Sequence, residues 1–230
     1  MISPLHAVVM AAGEGRRMHP LTERWPKPIL PIDGRPVIAT LLRDLAGADI
    51  REATVVTGHL AEQVEALLGD GSALGISVRY ARQPEALGSA DAVRRALAAG
   101  ARAPLLVAAA DTKFERGALA RVSAEWLASG APAGLAVRRG GGEGRTPVRV
   151  EQGRVVEIGG ERGELTAAPL WFFAESVLAR LEEVPGPPYE LAAAIQTSVE
   201  VAALESGPTR DLTHPEDVVL ENFPYLWRSV

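Results

Sequence analysis

A three-layer α/β/α fold, with helices on both faces of a mixed, mostly parallel sheet, is what this chain predicts. Three observations carry it. Short apolar runs alternate with stretches of helical spacing along most of the chain. The runs are apolar almost throughout, as strands buried on both faces are. The length, 230 residues, is enough for one sizeable core.

In order, Leu5 to Ala11 reads as a strand, and Pro36 to Ala46 has helical spacing with Pro36 suited to its first turn. Ala53 to Gly58 is a buried strand. Leu60 to Leu68 is an amphipathic helix stopped by Gly69-Asp70-Gly71. Ile76 to Ala81 is a strand, Ser89 to Ala99 a helix, and Pro104 to Ala109 another buried strand followed by Asp111. Leu119 to Ala128 is helical and Ala133 to Arg138 strand-like. The texture then changes at Gly140-Gly141-Gly142-Glu143-Gly144, the only boundary candidate. Thr146 to Val150 and Arg154 to Ile158 read as a hairpin around Gln152-Gly153. Leu170 to Ala174 is a strand and Glu175 to Leu181 a helix. Pro185 to Pro188 is a stiff connector, Glu190 to Ser198 a helix and Glu200 to Leu204 a strand. Pro215 to Trp227 closes the chain as a helix with Pro224 inside it. We expect one domain over residues 1–230, with a loop near residue 140 between its two halves.

Composition narrows the function. With 24 Lys and Arg against 29 Asp and Glu, the formal charge is −5, which does not suit a nucleic-acid coat but allows a local basic pocket. The absence of cysteine excludes disulfides, thiol catalysis and thiolate metal sites. Four histidines make a His-rich metal site a poor expectation. His6 to Met10 is too short for a secretory signal, and nowhere do ~18 apolar residues run together. The expectation is a soluble, cytoplasmic protein with no nucleic-acid or membrane partner.

The densest chemistry lies between Ala11 and Ile32, where two glycines, three arginines, a lysine and four prolines follow the first strand. Gly13 and Gly15 let the backbone turn and bare its N–H groups. Pro20, Pro26, Pro28 and Pro31 forbid a helix. Arg16, Arg17, Arg24 and Lys27 add positive charge. A strand running into such a turn is a device for holding phosphates.

The run Ala11-Ala12-Gly13-Glu14-Gly15-Arg16-Arg17-Met18-His19-Pro20-Leu21-Thr22, continued by Pro26-Lys27-Pro28-Ile29-Leu30-Pro31-Ile32, resembles the N-terminal signature of the sugar-1-phosphate nucleotidyltransferases, or nucleotide-sugar pyrophosphorylases. Arg16 departs from it, since many members have Thr there. The resemblance covers nearly the whole chain, densely at residues 7–32, 83–92 and 104–111 and thinly at 189–217. It implies a Rossmann-like (GT-A-like) nucleotidyltransferase fold. The nucleotide half would span about residues 1–139 and the sugar-phosphate half about 140–230. It implies transfer of a nucleoside monophosphate from an NTP to a sugar 1-phosphate, with Mg²⁺ as cofactor and pyrophosphate leaving.

By the same resemblance, Arg17 aligns with the arginine that grips phosphate and Lys27 with the catalytic lysine. Ala11, Ala12, Gly13 and Gly15 would lie against the nucleotide. In Gln83-Pro84-Glu85-Ala86-Leu87-Gly88-Ser89-Ala90-Asp91, Gln83 can donate and accept at a base edge. Gly88 would let the base lie against the backbone, and Ser89 opens the next helix and can serve as its N-cap. The resemblance associates Gln at this place with UTP or dTTP. It assigns nothing to Asp91, where relatives often have a small residue or His. Asp111 stands at the end of a strand, where open α/β sheets bind ligands, and aligns with an Mg²⁺ ligand. Asp211, in Asp211-Leu212-Thr213-His214-Pro215-Glu216-Asp217, aligns with a second, with His214 as an added residue; Thr213 can also cap the last helix.

The sugar-phosphate half matches less well. Thr146 stands where many relatives have Gly, and Glu161-Arg162 is one residue out of register with their Glu-Lys. Those three are the candidate sugar-phosphate contacts, and Glu161 and Arg162 read equally as a solvated hairpin end. Two further readings stay open: a cytidylyl- or guanylyltransferase acting on another phosphorylated sugar, cyclitol or alcohol, and a nucleotide-binding regulatory protein without catalysis. A dinucleotide site fits poorly, because no third glycine follows Gly13 and Gly15. Phe223, Tyr225 and Trp227 on the last helix pack either at home or on a second copy of the chain, so a homo-oligomer stays open.

Overall fold

The computed structural model describes residues 4–141, 144–160, 163–195 and 199–228, with residues 224–228 as backbone. Its strands are β1 (His6–Ala11), β2 (Pro31–Ile32), β3 (Arg35–Pro36), β4 (Glu52–Thr57), β5 (Ser77–Arg82), β6 (Leu105–Ala109), β7 (Thr112–Phe114), β8 (Ala133–Arg139), β9 (Val148–Glu151), β10 (Arg154–Ile158), β11 (Leu165–Phe173), β12 (Val201–Glu205) and β13 (Thr209–Asp211). Its α-helices are α1 (Val37–Gly47), α2 (Ala61–Leu68), α3 (Ser89–Ala98), α4 (Ala118–Ser129), α5 (Leu178–Glu182), α6 (Leu191–Ile195) and α7 (Pro215–Arg228).

Nine strands form one sheet in the order β5-β4-β1-β6-β11-β8-β12-β10-β9. Only β10 and β11 run against the others, so the sheet is mixed and mostly parallel, as expected. β11 lies between β6 and β8 although it comes from beyond residue 140, so the two expected halves share a single sheet.

Successive residues of a strand point to opposite faces, and β1 uses both. Ala7, Val9 and Ala11 pack with Ile38, Leu41, Leu42 and Leu45 of α1, and with α2 and α4. Val8 packs on the other face with Val93 and Ala96 of α3, Leu181 of α5 and Ile195 of α6. This is the three-layer arrangement. The α1 residues recur at helical spacing and are fully buried. Each such leucine or isoleucine stabilises the fold by about 1.5–3 kcal/mol relative to exposure.

Several details differ from expectation. β11 begins at Leu165 rather than Leu170, because its first residues pair with the end of β8 beyond an irregularity between Ala167 and Trp171. The hairpin strand starts at Val148 rather than Thr146; Pro147 makes only an isolated bridge to Thr166. α6 begins at Leu191 rather than Glu190 and is described as far as Ile195; residues 196–198 of its expected span lie outside the described residues. The proline-rich loop contains three short 3-10 turns, at Arg16–Met18, Leu21–Glu23 and Lys27–Ile29, and no α-helix. Two small sheets, β2-β3 and β7-β13, stand apart from the main one. Phe223 is 58% exposed on α7, and the side chains of Tyr225 and Trp227 lie outside the described residues. No helix among the described residues is long and apolar enough to cross a membrane.

Candidate active site

The parallel strands β1, β4 and β6 end together, and the segments that leave them form the site. After β1 the chain turns at Gly15, whose φ of 64° is a left-handed conformation that favours glycine. A Cβ there would also press on Thr22 Cγ2 at 3.0 Å. The Gly15 carbonyl accepts from the Met18 N–H at 2.8 Å and from the Thr22 hydroxyl at 2.9 Å, which folds the loop back on itself. His59 donates from Nε2 to the Thr22 carbonyl at 2.6 Å and from its backbone N–H to the Ala12 carbonyl at 3.2 Å. The segment after β4 therefore clamps the loop.

The prolines hold Lys27 in a short turn, and its Nζ is ion-paired with Asp111 Oδ2. Arg17 is exposed and leans on the loop after β8: a Cβ on Gly144 would meet its guanidinium nitrogen at 2.7 Å. Arg16 instead pairs with Glu14 at the surface, at 2.6 Å. A cavity of about 240 Å³ opens between Gly13, Gly15, Lys27 and Asp111. A neighbouring one of about 340 Å³ is lined by Ala12, Gly13, Gln83, Gly88, Ser89 and Glu190 among others. The two share Met10 and Gly13. A larger hollow, of about 650 Å³, lies on β9, β10 and β11. It shares no residue with the other two, and its Arg149 is held by Glu151 and Glu157, so we place the chemistry elsewhere.

Asp111 and Asp211, distant in sequence, come together because β7 pairs with β13, with Asp211 opposite Thr112. Asp211 sits 3.6 Å from Arg138 and 3.9 Å from Arg145. Arg138 is buried at the end of β8, also bonds Thr209, and keeps an Nε without a partner. Burial pushes its guanidinium below the ordinary range, and Asp211 pulls it back up. The two carboxylates, Asp111 in the turn just before β7 and Asp211 at the end of β13, are hard oxygen donors. They fit a divalent cation that takes its remaining oxygens from phosphate and water. Among the described residues no third Asp, Glu, His or Cys joins them.

Gln83 is buried, and its side-chain amide donates to the Gly88 carbonyl at 3.0 Å and to Asp91 at 2.8 Å. Gly88 has φ 104° and faces the backbone of Tyr189. Ser89 does not cap its own helix, contrary to expectation. Its hydroxyl donates to Glu190 at 2.6 Å and accepts from the Leu191 N–H at 2.9 Å, so it secures the start of α6 instead. Thr213 does not cap α7 with its side chain; its N–H and that of His214 bond the Asp217 carboxylate at 2.6 and 2.8 Å.

The expected residues thus divide. Ala12, Gly13, Gln83, Gly88 and Ser89 meet at one cavity, and Ala11, Gly15, Lys27 and Asp111 at its neighbour. Arg17, Asp211 and Thr146 line neither; Thr146 is exposed ahead of β9, and its carbonyl accepts from Ala167 at 2.8 Å. Glu161 and Arg162 lie outside the described residues. Sequence reasoning missed Gly58, His59, Arg138, Arg145 and Tyr189. Gly58 leaves no room for a side chain, because a Cβ would fall 2.7 Å from the Ala12 carbonyl and 2.5 Å from that of Gln83. The signal for it was a glycine directly after an apolar strand. For Arg138 it was a charge closing an otherwise apolar run.

A profile of the family described as "Nucleotidyl transferase" matches residues 6–137. The chain is 38% identical over 108 residues to N-acetylmuramate alpha-1-phosphate uridylyltransferase of Neisseria meningitidis serogroup B, a match covering 46% of this chain and 47% of that protein. It is 43% identical over 82 residues to CMP-5'-(3-aminopropyl)phosphonate synthase of Streptomyces rubellomurinus, covering 36% of this chain and 13% of that one. The matched segments thus span less than half the length of either relative. In fold it is similar to a putative glucose-1-phosphate thymidylyltransferase from Bacillus anthracis, with a TM-score of 0.84 at 19% identity over 96% of this chain and 95% of that one.

Proposed function

The chain belongs to the nucleotidyl transferase family, and from that premise we propose that it transfers a nucleoside monophosphate from an NTP, UTP or dTTP favoured, to a sugar 1-phosphate. The products are an NDP-sugar and pyrophosphate. The observation that carries this reading is the Lys27–Asp111 pair, set beneath the glycine loop where β1 and β6 end. The names of relatives that act on sugar 1-phosphates with UTP and dTTP support it.

In this reaction an oxygen of the acceptor phosphate attacks the α-phosphorus. The bond from that phosphorus to the bridging oxygen breaks, and its electron pair leaves with pyrophosphate. No enzyme nucleophile is needed, so positioning and charge do the work. The backbone at Gly13 and Gly15 would cradle phosphate oxygens. Arg17 and Lys27 would answer the charge that builds on them. A divalent cation, Mg²⁺ in our reading, would be held by Asp111 and Asp211 and would neutralise phosphate charge when bound. Gln83 would face the base in the cavity beside Gly88.

The test is pyrophosphate release from each of four NTPs with a panel of sugar phosphates. Lys27→Ala should lower turnover about 10²–10³-fold while the protein stays folded. Tight NTP binding with no turnover for any pair would favour the regulatory reading instead. Full activity in Lys27→Ala would remove the site assignment.

A further inference from the structure

Asp91 has no role in the family resemblance, yet the structure gives it a demanding position. It lies in the first turn of α3, is 9% exposed, and is joined to two side chains. Arg95 Nε donates to its Oδ2 at 2.6 Å, and so does Gln83 Nε2 at 2.8 Å. Burial works against the charge on Asp91, but the bonds from Arg95 and Gln83 prevail and hold its carboxyl below the usual range. Asp91 therefore stays ionised near neutrality and can only accept. The Gly88 carbonyl, 3.0 Å from the same Gln83 nitrogen, can also only accept. Two acceptors at one end of an amide settle which end it is: the NH₂ of Gln83 is turned inward. Its Oε1 has no partner among the described residues, and Gln83 lines the cavity of about 340 Å³ beside the glycine loop.

We propose that Asp91 is a positioning residue that fixes the Gln83 amide as a pure acceptor, so that a base whose ring nitrogen meets Oε1 must carry a proton there. This rests on the reading of that cavity as the base site. Uracil and thymine carry such an N–H at N3, and guanine carries one at N1. Cytosine at N3 and adenine at N1 present a lone pair instead. That lone pair would face Oε1 and leave a buried acceptor unpaired. Without Asp91 the Gly88 carbonyl alone would hold the amide, which could then turn and offer its NH₂ to the cytosine lone pair. Specificity then comes from a carboxylate that touches no substrate.

The experiment is direct nucleotide binding by calorimetry without acceptor, so turnover plays no part. UTP and CTP are the main pair, because they share ring size, ribose and triphosphate. Wild type should bind UTP at least about tenfold more tightly than CTP. In Asp91→Ala the ratio should fall below about threefold, chiefly because CTP affinity rises, while Asp91→Asn, whose Oδ1 still accepts from Gln83, should keep more of the preference. Damage to the fold does not produce a gain of that kind. Arg95→Gln keeps the carboxylate and should keep most of the preference. GTP has the N–H on a larger ring and reports whether a purine enters. Equal UTP and CTP binding by wild type overturns the proposal, and so does tighter binding of CTP or ATP than of both UTP and GTP. An unchanged ratio in folded Asp91→Ala, or an equal loss for both pyrimidines, overturns it as well. Selective binding without turnover counts against the proposed reaction alone, and turnover with unselective binding against this inference alone.

Discussion

Position 88 has no room for a methyl group. Gly88 stands at φ 104° and ψ 173°, a region essentially reserved for glycine. A Cβ there would fall 2.4 Å from the Tyr189 carbonyl oxygen. The neighbouring bonds explain the closeness: the Tyr189 N–H donates to Leu87 at 2.7 Å and its carbonyl accepts from Ala90 at 2.8 Å. Gly88→Ala should therefore cost about 1–3 kcal/mol from the backbone alone, or roughly 2–12 °C in Tm at 2–4 °C per kcal/mol. Gly13 is the contrast, with nothing within 4 Å of its built Cβ. Gly13→Ala should melt like the wild type and lose turnover, if a phosphate is what approaches it. Thermal melts beside the pyrophosphate assay check both. Gly13, Gly15 and Lys27 were legible because a local run encodes them. Tyr189 was not, because contacts distant in sequence create its role, and Gly58 left only the faint signal of a glycine after an apolar strand.

Among the elements, the β2-β3 ribbon and α7 hold Asp211 in place. β2 and β3 are joined by Asp33-Gly34, both with positive φ, as a tight two-residue hairpin requires. That dipeptide was a readable signal and was passed over, since flanking strands of two residues show no periodicity. Asp33 takes two bonds from Arg210, at 2.8 and 3.0 Å, and pairs with Lys113. Arg210 also donates to the Glu221 carbonyl of α7 at 2.9 Å. Asn222, buried on the same helix, bonds Gly34 at 2.7 Å and Pro31 at 2.8 Å. Arg210 immediately precedes Asp211, so this network sets the position of a proposed metal ligand. The Arg210 bond, with Lys113 assisting, holds the Asp33 carboxyl below its ordinary range against burial. Its contribution is thus present above the ordinary Asp range and lost as pH falls through the lowered value. Asp33→Asn keeps a residue that tolerates positive φ and removes the charge. Discounted for partial exposure, the loss is ~1 kcal/mol, about fivefold faster amide exchange in 209–211 and α7 near neutral pH. Exchange no faster than wild type would show that Asn222 holds the helix without Asp33.

At the scale of the molecule, the sheet divides what was legible from what was not. The rhythm from β1 to β8 announced parallel strands with crossover helices, and the structure has them. That β11 would enter between β6 and β8 is written in no local run, because strand order is chosen by which faces bury together. β1 lies at the centre of the parallel part, flanked by β4 and β6, and carries a titratable group. His6 is 6% exposed and bonds Thr54 Oγ1 of β4 through Nε2 at 2.8 Å. Burial lowers its pKa from 6.5, outweighing the pull of Glu52 3.5 Å away. The sign follows from where protons bind. In the unfolded chain His6 takes one as pH falls through 6.5, while in the folded chain it stays neutral until the pH is lower. Stability contributed by neutral His6 is therefore complete above 6.5 and drains away as pH falls toward the folded value, at up to about 1.4 kcal/mol per pH unit. Tm should fall by a few degrees between about pH 7 and pH 5, at 2–4 °C per kcal/mol for a chain of this size. His6→Gln keeps a polar group near Thr54 and has no proton to gain, so its Tm should be flatter across that window. A variant that melts as steeply as the wild type there would place the acid sensitivity outside the centre of the sheet.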